Sequence, residues 1–232
     1  MNGILLVDKP KGWTSFDVVG RVRRIASHSP LSTSNKKRFP VGHTGTLDPL
    51  ATGLLVLLLG TYTKQAPSLT KLDKTYEVVM HLGQTSTTGD SEGELTDVSD
   101  NQPSQSQIVA AMKEFTGDIM QIPPIYSAIK INGQRAYKLA REGKAPQMKP
   151  RPAHIDRIVL TSYEYPLVHF TTDVSSGTYI RSLVEDIGKA LGTGAYMADL
   201  RRTRVGRFTI EDAISIDDSL TDQQIASALR NI

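Results

Sequence analysis

The chain has 232 residues, enough to bury one large core, and its 39% apolar and 22% charged content is that of a globular protein. It contains no cysteine, which excludes disulfides, thiolate zinc sites and cysteine nucleophiles, and its five histidines (His28, His43, His81, His154, His169) stand at no metal-ligand spacing. Net charge is only +3, but cations bunch over residues 1–48, from Lys130 to Arg157, and at Arg201, Arg202, Arg204 and Arg207, while acid gathers between Asp90 and Asp118 and after Glu211; such segregation predicts a polyanionic partner.

Gly3 to Pro10 reads as a strand ended by proline, with Lys11-Gly12-Trp13 as the turn after it. Thr14 to Asp17 has capping-box form, and Val18, Val22 and Ile25 fall on one face of a helix over Ser15 to Ala26. Ser27 to Pro40 is a basic loop whose Lys36, Lys37 and Arg38 are placed to meet phosphate. Gly42 to Gly53 holds three glycines, a proline, a histidine and a carboxylate in twelve residues, so it predicts a shaped loop. The apolar run Leu54 to Leu59 then predicts a strand buried on both faces, which anchors Asp48 on a core element.

Lys74 to Leu82 alternates, with Tyr76, Val78, Met80 and Leu82 on one face and a structural His81 on the other. Thr85 to Asp100 reads as an acidic polar loop, Pro103 to Phe115 as a helix stopped at Gly117, and Ile122 to Ala128 as non-helical chain before a turn at Asn132-Gly133. A basic helix over Gln134 to Glu142 follows, then a hairpin of Ile155 to Tyr165 with Leu167 to Val174. From Ile180 the apolar positions Leu183, Val184, Ile187 and Leu191 continue one helix face up to Gly192. Arg181 stands at the start of that helix, where the macrodipole prefers an acid, so it is either exposed or paired with a carboxylate from elsewhere. Arg204 to Ile210 reads as a strand and the stretch after Thr221 as a short helix; no internal repeat is present.

Asp8 to Ser15, Gly42 to Gly53, Lys74-Thr75-Tyr76, Gly177 to Arg181 and Leu200-Arg201-Arg202 occur in the order and spacing of the bacterial tRNA pseudouridine synthase B (TruB) family, and the chain resembles that family from Gly3 to about Ser219. The resemblance implies an α+β fold with a large mixed, mostly antiparallel sheet, flanking helices and a basic RNA-binding cleft. It implies an isomerase that turns uridine 55 in the T-loop of tRNA into pseudouridine by base flipping, without cofactor or metal. On this resemblance Asp48, Tyr179 and Arg181 are catalytic, while His43, Tyr76, Leu200, Lys9 and Arg202 bind substrate. Arg181 is the candidate to hold Asp48 ionised, Tyr76 stacks on the uracil and His43 fills the space it leaves. Residues 1–219 would be the catalytic domain, with an RNA-clamping insertion at about 125–152, and 220–232 a short helix with no recognisable domain of the PUA type.

The chemistry agrees: breaking the bond from C1′ to N1 develops positive charge on the sugar, which a carboxylate can stabilise, attack, or relieve by taking the C2′ proton. With no signal-peptide pattern and no apolar run long enough to span a bilayer, the expectation is a cytoplasmic protein, monomeric, free of metal and membrane, that acts on the T-arm of tRNA. The alternative is a tRNA-binding or folding factor with little isomerase activity. A glycosidase would want two carboxylates about the bond.

Overall fold

The computed structural model describes residues 1–30, 39–131, 133–144 and 146–231. Lys36, Lys37 and Arg38, expected to meet phosphate, and Asn132 of the expected turn lie outside these residues. Strand β1 (Gly3–Lys9) leads to α1 (Ser15–His28), where the Thr14 and Asp17 capping box forms and Val18 and Val22 are buried. The short β2 (Val41–His43) and long β3 (Thr52–Leu59) bracket the Asp48 loop, so His43 ends a strand rather than lying within the loop. A 3-10 turn over Gly60–Gln65 and α2 (Ala66–Leu69) lead to β4 (Lys74–Leu82), whose alternate side chains are buried as the pattern predicts.

The expected acidic loop instead contains a hairpin of β5 (Gln84–Ser86) with β6 (Leu95–Asp97). Helix α3 (Gln105–Glu114) starts on a capping box of Ser104 with Gln107 and is followed by β7 (Gly117–Gln121). The expected helix over Gln134 to Glu142 is shorter, because Gln134 and Arg135 pair with Ile131 and Lys130. That makes a hairpin of β8 (Lys130–Ile131) with β9 (Gln134–Arg135), and only α4 (Ala136–Arg141) is helical. Strands β10 (Arg151–Glu164) and β11 (Leu167–Val174) form the expected hairpin, but β10 begins four residues early because Arg151 to Ile155 pairs with β7.

Helix α5 (Ile180–Ala190) buries the predicted face. The expected strand Arg204 to Ile210 is instead a hairpin: Arg204 and Val205 of β12 (Ala195–Val205) pair with β13 (Phe208–Thr209) across Gly206, at φ +55°. β14 (Ile214–Ser215) and α6 (Asp222–Ala228) complete the described elements.

The chain divides into two compact units, Met1–Tyr76 with Leu200–Ile232, and Glu77–Asp199. In the first the strand order is β14-β1-β3-β12, with β2 also on β3 and β13 on β12. The β1/β14 and β3/β12 pairs are parallel and the others antiparallel, so the sheet is mixed. The pleat splits the apolar run of β3 as a doubly buried strand requires. Leu55, Leu57 and Leu59 pack with Leu5, Val7 and the α1 residues Val18 and Val22, while Leu54, Val56 and Leu58 pack with Ile4, Leu6 and Val205. In the second unit the order β11-β10-β7 is antiparallel, and α3 packs against β10 and α5. The fold is α+β, a mixed sheet flanked by helices.

One row across the first unit's sheet underlies the loop that carries Asp48. Lys9 of β1 pairs with Gly53 of β3, and Gly53 with Arg202 of β12. Gly53 sits at φ +99°, and a Cβ there would stand 2.3 Å from the Arg202 carbonyl oxygen. Both the backbone conformation and the space require glycine. Gly53→Ala is expected to destabilise the protein by about 2–4 kcal/mol, read as a lower denaturant midpoint at unchanged slope. A midpoint equal to wild type would show that the row tolerates a side chain.

Candidate active site

The loop between β2 and β3 is pinned at almost every other residue. At its entrance the Thr44 N–H donates to Val56 O (3.1 Å). In its middle the buried Ser15 hydroxyl donates to Leu47 O (3.0 Å) and accepts from the Leu47 N–H (2.8 Å), which ties the loop to the first residue of α1. Past Asp48, Ala51 N–H donates to Asp48 O (3.1 Å) and Gly12 N–H to Pro49 O (2.8 Å). Asp48 is half-buried on a segment whose neighbours on both sides are fixed to the frame.

Two cations hold the same loop from below. Lys9, fully buried, donates from Nζ to Pro10 O (2.9 Å), Trp13 O (2.6 Å) and Pro49 O (3.4 Å). Arg202, 2% exposed, donates from Nε to Leu54 O (2.8 Å) and from Nη2 to Gly45 O (3.1 Å). A buried cation is tolerated only when its protons are matched by acceptors. Here the acceptors are carbonyls of the loop and its flanks. Lys9 and Arg202 were expected on the substrate side; their burial makes them braces of the loop that carries Asp48. The third basic block is likewise not a free cationic surface. Arg201 makes a two-point pair with Asp8 (3.1 and 2.8 Å) and Arg204 donates to Thr75 Oγ1 (2.9 Å), so Arg207 is its exposed member. The arm differs, for Lys130, Arg135, Lys138, Arg141, Lys144, Lys149 and Arg151 are all exposed.

His43 accepts the Gly45 N–H at Nδ1 (3.3 Å), which assigns the ring proton to Nε2. Burial first, then the charge of Arg202, lower its pKa, so the imidazole is neutral at pH 7. Lys74, 6% exposed and without a sequence signal of its own, donates to Thr70 O (2.7 Å) and Leu72 O. Burial, then Arg202, lower its pKa to about 8, with Asp73 acting in opposition. Tyr76 and Leu200 are buried in this unit, at 8% and 7% exposure.

The second unit brings Tyr179 and Arg181 together at the first turn of α5. Tyr179 is the N-cap, and the buried Gln121 carboxamide grips its main chain at both ends. The Tyr179 N–H donates to Gln121 Oε1 (2.8 Å), and Gln121 Nε2 donates to Tyr179 O (2.9 Å). Arg181 is buried, not exposed, and donates to Thr88 O (3.0 Å) and Tyr126 O (2.8 Å). Asp90, also buried, lies 3.5 Å from its Nη1 and accepts from Thr88 Oγ1 (2.5 Å) and the Glu92 N–H (3.1 Å). Asp90 is thus a carboxylate partner of Arg181 within this unit. The acidic composition of 85–100 concealed it, because a carboxylate among many reads as solvated. His81 stacks on Tyr196 with centroids 5.0 Å apart, in keeping with a structural role. Among the described residues no group of His, Asp and Glu is arranged to hold a metal, and no helix is long and apolar enough to cross a membrane.

The first unit thus fixes a carboxylate on a braced loop, and the second places a tyrosine and an arginine on one helix turn and carries an exposed basic arm. Comparison with known proteins gives the family. Residues 33–180 match the model of the TruB family pseudouridylate synthase (N terminal domain), and 181–232 that of the tRNA pseudouridylate synthase B C-terminal domain. The chain is 45% identical over 229 residues to tRNA pseudouridine synthase B of Gluconacetobacter diazotrophicus, covering 98% of this chain and 72% of that protein. It is 43% identical over 218 residues to the enzyme of the same name from Pseudomonas fluorescens, covering 94% and 68%. Among solved structures, one chain of a Cbf5-Nop10-Gar1 complex superposes with a TM-score of 0.72 at 30% identity, over 98% of this chain and 59% of that one. Another, from an H/ACA RNP bound to a substrate RNA containing 2′-deoxyuridine, gives 0.66 at 30% identity, over 92% and 50%. The chain therefore spans between half and three fifths of those structural relatives. The chain belongs to the TruB family of pseudouridylate synthases.

The buried Lys74 has a pH signature. Below about pH 8 the folded and unfolded chains both hold its proton, and the penalty for burying the ammonium is constant. Between about 8 and 10.5 the unfolded chain holds the proton and the folded chain does not, so stability rises with pH. The wild type should gain up to roughly 3 kcal/mol across that window relative to Lys74→Met, measured as the difference in urea stability. Parallel pH profiles would show that Lys74 is not desolvated.

Proposed function

We propose that the chain converts uridine 55 in the T-loop of tRNA to pseudouridine, acting in the cytoplasm as a monomer and without cofactor or metal. The observation that carries this reading is the Asp48 loop, a single carboxylate fixed on a strand-anchored segment that Ser15, Lys9 and Arg202 brace. In the reaction the bond from C1′ to N1 breaks, the freed uracil turns, and C5 bonds to C1′. N1 takes up a proton, and the proton on C5 is released. Positive charge develops on the sugar as the first bond breaks, and the Asp48 carboxylate stabilises it there.

Tyr179 serves the base in its proton transfers, and Arg181 completes the catalytic set from the same helix turn. Tyr76 stacks on the flipped uracil, with Leu200 against it, and the neutral His43 fills the space in the T-loop. Lys9 and Arg202 act through the loop they hold. Residues 1–219 are the catalytic domain, and the exposed cations of the segment at about 125–152 meet tRNA phosphates.

The test is tritium release from an unmodified tRNA transcript whose uracils are labelled at C5. The wild type should release label from the T-loop site, and Asp48→Asn should lose at least about 1000-fold in rate while still binding tRNA. Label released equally by both proteins, or tRNA bound by the wild type with none released, would contradict the reading.

A further inference from the structure

The first turn of α5 is attached at three positions to one short stretch of chain, residues 121–126. Gln121 holds the Tyr179 main chain, Ser182 Oγ donates to Ile122 O (2.8 Å), and Arg181 Nη2 donates to Tyr126 O (2.8 Å). Gln121 is itself the last residue of β7, paired with Arg151 of β10, so its own main chain belongs to the sheet. The residue is 2% exposed. The Tyr179 N–H and C=O belong to the two peptide groups on either side of its Cα, so one carboxamide bonded to both holds those two groups at once. The direction of the Tyr179 Cα–Cβ bond is thereby set from the sheet.

We infer that Gln121 is a positioning residue of the isomerisation, fixing Tyr179 through its main chain so that the phenol meets the base in the geometry the reaction needs. The inference rests on the function proposed above, in which Tyr179 serves the base. Gln121 touches neither RNA nor a reacting atom in this role. Its effect is on the chemical step, because a displacement of the order of 1 Å in a reacting group can lower a rate about 100-fold while leaving the remote binding contacts in place.

The inference is tested with single-turnover rates and tRNA affinities for the wild type, Gln121→Met and Gln121→Glu. Gln121→Met keeps the length but removes both hydrogen bonds, and should lower the rate by about 10- to 100-fold with tRNA affinity within about 3-fold of wild type. Gln121→Glu supplies the readout that loss of packing would not move. A protonated carboxyl can accept from the Tyr179 N–H and donate to Tyr179 O as the amide does, whereas a carboxylate repels that carbonyl. Its rate relative to wild type should therefore be low at about pH 8 and recover as pH falls toward about 5.5, at a temperature where both proteins stay folded. Should Gln121→Met misfold, this recovery still decides the matter. A wild-type rate in Gln121→Met, a rate loss matched by an equal loss of affinity, or a Gln121→Glu deficit that does not change with pH would overturn the inference. Inactivity of the wild type would instead remove the proposed function, and this inference with it.

Discussion

The first unit depends on two buried cations that flank a glycine. Lys9, Gly53 and Arg202 lie side by side on three adjacent strands, and the two charged side chains turn toward the loop that carries Asp48. An ammonium or guanidinium removed from water is held only by acceptors in place, and these acceptors are main-chain carbonyls of residues 45, 49 and 54 and of the turn after β1. The loop and the cations therefore fix one another: a displaced loop would strand two charges, and absent charges would leave carbonyls unmatched. Gly53 allows the strands to approach closely enough for this arrangement. That is how a segment of three glycines and a proline, which has little regular structure of its own, can hold a carboxylate in place.

The second unit solves the same problem with different groups. Its candidate side chains sit on the first turn of a helix, where Gln121, Ile122 and Tyr126 supply the partners. Arg181 and Asp90 form a buried ion pair, and removing one partner of such a pair typically costs about 3–5 kcal/mol. In both units the candidate residue is itself ordinary. What distinguishes it is the number of polar atoms that fix the chain around it.

The parts that were legible in the sequence are those in which residue type alone limits the structure. The glycines and proline of 42–53 forbid a helix, the run Leu54 to Leu59 admits only a doubly buried strand, and the Thr14 and Asp17 box sets the start of α1. Resemblance to the family then supplied roles that the residue types alone left open. What stayed hidden was burial of charge. A lysine or arginine is ordinarily at the surface, so Lys9, Lys74 and Arg202 gave no sign that they are enclosed, and the cation-rich end of β12 read as a basic face. Gln121 gave no signal at all, because an amide in a short strand looks the same whether it faces water or a peptide group. The lengths of β10 and α4 escaped for a related reason: each is set by a partner strand distant in sequence or by a hairpin, not by local propensity.

If the buried cations act on the reaction through the loop they hold, replacing Arg202 shows it most plainly. Arg202→Met retains much of the packing volume but leaves Gly45 O and Leu54 O without their donor. Single-turnover pseudouridine formation and tRNA affinity would be measured side by side, at a temperature where wild type and variant are both folded. The rate should fall by about 100-fold with affinity nearly unchanged, since the carboxylate is displaced while the exposed basic arm is untouched. A wild-type rate, or a loss confined to affinity, would contradict it and return Arg202 to the substrate-binding surface.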